Sequence, residues 1–146
     1  MLLAGDDGPL DRARRNECGR LPQRGVHHLV LASRSGTVAT GTGAEREAMQ
    51  ASVTTPYVER CDTGEAVHVL RLVARASLLS GVWHAAGVLA DAVLPNQDAP
   101  GFALVFAPKA YGAWSLHTAG ATSAMDTVAL FSSVAALLGG AGQANY

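Results

Sequence analysis

LFSSVAALLGGAGQANY, residues 130–146, is the stretch whose reading decides the fold. An apolar strand runs into the pair Ser132-Ser133, a loop of small residues follows, and Tyr146 stands thirteen positions after Ser133. Open α/β sheets build their sites in this way, with polar side chains in the crevice outside the carboxyl ends of the strands. The stretch therefore predicts a parallel sheet with a serine and a tyrosine at its mouth.

Working outward, short apolar runs alternate with amphipathic stretches. Residues 2–4 read as a short first strand, VHHLVLAS (26–33) as a buried second, 53–61 as a third, GVWHA (81–85) as a fourth and 128–132 as a fifth. Pro56 argues that the third strand lies at an edge or is distorted. Helices are expected over 9–23, 44–51, 63–77 and 100–117, with Thr63 and Glu65 as cap and first-turn acid of the third. Residues 119–123 read as a plain connection. This alternation predicts an α/β fold, a doubly wound parallel sheet in three αβα layers joined by right-handed crossovers. A chain of 146 residues is expected to form one domain, spanning 1–146.

Composition agrees. Hydrophobic residues make up 49% and aromatics 5%, a balance suited to parallel strands under helices. The net charge of −1 carries no basic excess for nucleic acid, and Arg12, Arg14, Arg15, Arg20 and Arg24 read as the solvated face of a helix. Cys18 and Cys61 lack metal-type spacing, so no metal is expected and both read as reduced thiols. No apolar run approaches the ~20 residues of a membrane span, and Met1-Leu2-Leu3-Ala4 is too short for a signal sequence. The expected setting is cytoplasmic, away from membranes.

Four blocks carry a resemblance: GVHHLVLASRSG (25–36), GVWHAAGVLADAVL (81–94), FAPKAYGAWSLH (106–117) and the terminal LFSSVAALLGGAGQANY. In this order they resemble the ketoreductase domain of polyketide synthases, a branch of the short-chain dehydrogenase/reductase superfamily with a Rossmann-like fold. The likeness spans nearly the whole chain and weakens in the first twenty-five residues and over 37–58. It implies NADPH-dependent reduction of a β-ketoacyl thioester to a β-hydroxyacyl thioester in polyketide or fatty acid biosynthesis. The substrate would ride on an acyl carrier protein, and the partners would be other synthase domains.

The resemblance also implies roles. A ketone that accepts hydride at carbon needs a proton at oxygen, and a phenol, with an ordinary pKa near 10, needs a nearby cation to give it readily. Tyr146 is implied as that donor, Ser133 as the hydrogen-bond donor to the carbonyl oxygen, and Lys109 as the cation. Lys109 lies at an otherwise apolar helix start, where a lysine calls for a reason. Ser33 and Arg34 would read the adenosine 2′-phosphate, for which a planar, permanently charged guanidinium is suited. Cys61 and Asp62 would flank the adenine, and Ala85-Ala86-Gly87 would let backbone approach the cofactor.

The phosphate loop departs from the family pattern T-G-G-T-G-x-L-G. Gly5, Gly8 and Leu10 match, but Asp6, Asp7 and Asp11 place carboxylates where a pyrophosphate should sit, each opposing it by about 1 kcal/mol. Either this loop binds NADPH weakly, or residues 1–24 are not the homologous segment. Leu89-Ala90-Asp91 stands where ketoreductases of B-type stereochemistry carry Leu-Asp-Asp. Leu138 stands where A-type enzymes carry a tryptophan eight residues before the tyrosine. Both point to a B-type product.

The family continues beyond the tyrosine with Ala-Ala-Ala-Asn, so the domain is expected to be partial and the sheet incomplete at the C-terminus. A second reading follows, an impaired or structural ketoreductase fragment of a larger synthase. A third, a stand-alone short-chain dehydrogenase, would place its lysine four residues after the tyrosine, unlike Lys109.

Overall fold

The computed structural model describes residues 2–4, 26, 28–37, 56–76, 79–121 and 125–146. Five short strands, β1 (Leu2–Ala4), β2 (Leu29–Ser33), β3 (Pro56–Arg60), β4 (Gly81–His84) and β5 (Thr127–Leu130), form one sheet in the order β3-β2-β1-β4-β5. All four pairings are parallel. The winding reverses between β1 and β4, and a Rossmann-like sheet opens its ligand crevice at such a point. The register levels the carboxyl ends: Ala4 lies beside His84, Ser33 beside Arg60, and His84 beside Leu130.

The expected strands are present and shorter. Pro56 opens β3 at the edge of the sheet, where the missing N–H breaks no interior ladder. The helices expected over 9–23 and 44–51, and the loop residues Gly5 and Gly8, lie outside the described residues.

Helix α1 (Ala66–Arg75) follows β3. It does not start at Thr63: Glu65 occupies the N-cap without a side-chain cap bond, and Thr63 is buried. Asp62 accounts for the shift, because its Oδ1 accepts the Gly64 N–H at 2.9 Å and holds residues 62–64 in a turn. Val69, Leu72 and Val73 then face inward at helical spacing. They pack with Ala32, Cys61, Leu79, Val82, Leu116 and Ala119 as the core.

The helix expected over 100–117 is one helical run with a widened middle. Asp98 caps α2 (Ala99–Phe106) by accepting the Gly101 N–H at 2.8 Å. Ala107–Tyr111 form a π turn, and α3 (Gly112–Gly120) continues through residues expected to be a connection. Pro108 explains the widening, since it has no N–H for the preceding turn and its ring crowds a carbonyl there. Lys109 therefore sits in mid-run, not at a helix start. After β5, the expected small-residue loop begins with a short helix, α4 (Val134–Leu138).

Candidate active site

β4 ends on His84, and Ala85-Ala86-Gly87 follow at once, the two alanines buried. Beyond β5, the Phe131 N–H donates to the His84 carbonyl at 2.9 Å, so the chain keeps level with β4 for one residue more. Ser133 lies two residues further on and caps α4, its Oγ accepting the Ala135 N–H at 3.2 Å. A hydroxyl that accepts in this way still carries a proton to donate.

Lys109 reaches into this region from the π turn. Its Nζ lies 3.5 Å from the Phe131 carbonyl oxygen, to which it donates, and 5.1 Å from the centroid of the Tyr146 ring. A cation so placed is attracted by the ring's negative face. The structure thus brings Lys109 and Tyr146 together at the carboxyl end of β5, with Ser133 on the adjoining turn.

A strap holds the approach to Tyr146. The Ala92 N–H donates to the Gly142 carbonyl at 2.8 Å, and Gln97 Nε2 donates to the Ala92 and Gly142 carbonyls at 2.8 and 3.3 Å. Asn145, buried just before the tyrosine, donates from Nδ2 to the Ala90 carbonyl at 2.7 Å. Gln143 Nε2 lies 3.3 Å from each oxygen of Asp91. Asp91 is therefore joined to the tyrosine's own loop, whereas Leu138 lies exposed at the end of α4. Sequence reasoning passed over Gln143 and Asn145. The available signal was an amide beside a tyrosine in a stretch of small residues, a polar group that burial obliges to find a partner.

The other end of the crevice is knit from the turns after β2 and β3. The Cys61 N–H donates to the Ser33 carbonyl at 2.8 Å. Ser33 Oγ accepts the Gly36 N–H at 3.1 Å and donates to the Thr37 carbonyl at 3.1 Å. Gly36 adopts φ 70°, and a Cβ there would stand 2.9 Å from the Arg60 Cβ, so both conformation and space call for glycine. Arg60, also missed from sequence, donates from Nε to the Arg34 carbonyl at 3.1 Å. Two exposed arginines, Arg34 and Arg60, thus stand at neighbouring strand ends, with Asp62 half-buried beside them. The two guanidinium groups are of a kind that suits a phosphate.

Cys61 differs from Ser33, Arg34 and Asp62: its side chain lies in the core. Burial first, then the charges of Asp62 and Glu59, push its thiol up to about 11. The folded chain holds this proton more tightly than the unfolded chain, whose thiol titrates at about 8.5. Stability is therefore whole below that value and declines as pH rises through about 11. Urea denaturation across this range is expected to show the decline, and Cys61→Ala to flatten it. Among the described residues no group of three His, Cys, Asp or Glu could hold a metal, and no helix is long and apolar enough to cross a membrane.

Residues 14–146 match the family described as KR domain. The chain belongs to that family, the ketoreductase domains of polyketide synthases. Along its whole length it is 38% identical to polyketide synthase GfsA of Streptomyces halstedii, of which it covers 2%. It is 34% identical, again over its whole length, to erythronolide synthase EryA2 of Saccharopolyspora erythraea, of which it covers 4%. The first ketoreductase of the tylosin polyketide synthase superposes with a TM-score of 0.82 at 32% identity, covering 99% of this chain and 32% of that one. A structure of A-type ketoreductases from a modular polyketide synthase gives 0.83 at 27% identity, with coverage of 99% and 32%. This ketoreductase-family chain thus spans a small part of these synthases and about a third of the solved ketoreductases.

Proposed function

We propose that the chain takes part in NADPH-dependent reduction of a β-ketoacyl thioester to the β-hydroxyacyl thioester, in polyketide biosynthesis. The substrate is presented on an acyl carrier protein within a larger cytoplasmic synthase. The observation that carries this reading is Lys109 Nζ 5.1 Å from the Tyr146 ring centroid, at the carboxyl end of the strand that leads to Ser133. NADPH, when bound, supplies the hydride to the carbonyl carbon. Ser133 donates a hydrogen bond to the carbonyl oxygen, Tyr146 gives that oxygen its proton, and the Lys109 ammonium favours the phenolate left behind. Ala85-Ala86-Gly87, with no side chain beyond a methyl, leave the crevice floor open to the cofactor. Asp91, joined to Gln143 in the tyrosine's loop, supports a B-type product.

Turnover of a β-ketoacyl-N-acetylcysteamine surrogate, followed by loss of NADPH, tests the reading. Product with the D-hydroxy configuration is expected, and a chain that binds NADPH yet turns over no such thioester overturns it. Arg34 is the main cation for the 2′-phosphate, so Arg34→Ala is expected to weaken NADPH about 10-fold to 100-fold while leaving NADH nearly unchanged. Fluorescence titration with both nucleotides reads this directly.

A further inference from the structure

Lys109 bridges a gap between two walls, the π turn that carries it and the turn after β5. Both walls are bonded to one residue, His84. Its main-chain carbonyl takes the Phe131 N–H at 2.9 Å, and its ring Nε2 lies 2.7 Å from the Pro108 carbonyl oxygen. A carbonyl only accepts, so Nε2 carries the proton and donates. His84 is 4% exposed, and a polar ring so buried is tolerated where it is hydrogen-bonded.

Pro108 makes this bond consequential. The proline opens the helical ladder into a π turn, in which the Gly112 N–H donates to the Ala107 carbonyl five residues back and not to the Pro108 carbonyl four back, the one that His84 holds. Lys109 is the next residue. Its Nζ must meet the Phe131 carbonyl and the Tyr146 ring at once. Space is kept for the imidazole: a Cβ at Gly112 would lie 3.1 Å from His84 Cε1 and 3.1 Å from Thr63.

We propose that His84 is a positioning residue for Lys109. Its Nε2–H pins the π turn, and its carbonyl pins the turn opposite, so the ammonium is held over the tyrosine ring. The assignment deepens the proposed reductase chemistry and rests on it for its kinetic consequence, not for its geometry.

The test compares the chain with His84→Phe, which keeps a ring and loses the donor, and with His84→Gln, which keeps an N–H donor. NMR of the Lys109 ε-methylene reports its place over the Tyr146 ring as a ring-current shift, with Tyr146→Ala as the reference without the ring. The shift is expected to be lost in His84→Phe and kept in His84→Gln. Folded His84→Phe with an unchanged shift overturns the proposal. If His84→Phe does not fold, Gly112→Ala, which crowds the imidazole, decides: a reduced shift supports the proposal and an unchanged one overturns it. In turnover, His84→Phe is expected to lose about 100-fold in kcat with KM little changed, the scale of a displacement of about 1 Å, and His84→Gln to recover most of it. A native chain without turnover counts against the reductase reading, and the Lys109 resonance still decides the assignment of His84.

Discussion

Tyr146→Phe is expected to lower kcat for β-ketothioester reduction by about 1,000-fold, within the range that a single positioned proton donor contributes. The change removes one oxygen atom and little else. The ring remains to face Lys109, the Tyr146 N–H still donates to the Gln143 carbonyl at 3.1 Å, and Asn145 still holds the Ala90 carbonyl. Stability should move by no more than about 0.5 kcal/mol, as for substitutions that leave packing and caps intact. NADPH binding should be unchanged, because Ser33, Arg34, Asp62 and Ala85-Ala86-Gly87, proposed for it, lie at or just beyond the carboxyl ends of β2, β3 and β4. The loss therefore belongs in kcat, and steady-state kinetics beside a denaturation curve separates it from misfolding. Turnover retained in Tyr146→Phe would mean that the proton reaches the carbonyl oxygen by another route. The assignment of Tyr146 would then fall, although Lys109 still stands over the ring.

How much of this was legible beforehand depended on the kind of interaction. Strand positions were, because buried parallel strands read as unbroken apolar runs such as LVLAS, and turn residues bound them. Their ends were less so: residues at the carboxyl ends, such as Ser132, read as strand though the ladder had already stopped. Lys109 was legible as an odd charge in an apolar segment, but its place in a π turn was not, since that depends on how Pro108 disrupts the helix around it. Thr63 misled because it has a capping residue's chemistry, whereas Asp62 and the burial of Thr63 moved the helix start to Ala66. The strap from Asn145 and Gln143 to residues 90–92 was not legible at all. It joins segments more than fifty residues apart, and no local pattern encodes such a contact.

The strap also bears on stereochemistry. Asp91 was selected as a sequence marker, and its two oxygens each lie 3.3 Å from Gln143 Nε2, in the loop that delivers Tyr146. If Tyr146 is the proton donor, as proposed, a marker joined to its loop bears on how the carbonyl meets it without itself touching the reacting atoms. On the proposed function, this would link the identity of residue 91 to the face of the ketone that is reduced.

Leu116→Ala is expected to have the largest effect on stability, about 3 kcal/mol, in the middle of the range for deleting a buried leucine side chain. Leu116 is 1% exposed, on α3, and packs in the cluster that includes Val69, Leu72 and Val73 of α1 and Val82 of β4. Truncating it removes apolar contact and leaves a cavity between two helices and the sheet, which cannot close without moving α3. For a chain of this size the loss corresponds to a fall in Tm of roughly 6–12 °C. Leu137→Ala is the control: that side chain is 84% exposed on α4, and its removal should change stability by no more than about 0.5 kcal/mol. Equal effects at the two positions would refute the placement of the core. The consequence extends to the site, because α3 continues the helical run through the π turn. A loosened α3 should release Lys109 from the Tyr146 ring before the sheet itself unfolds, and the Lys109 resonance should lose its ring-current shift at lower urea than the backbone amides of β4 lose their protection.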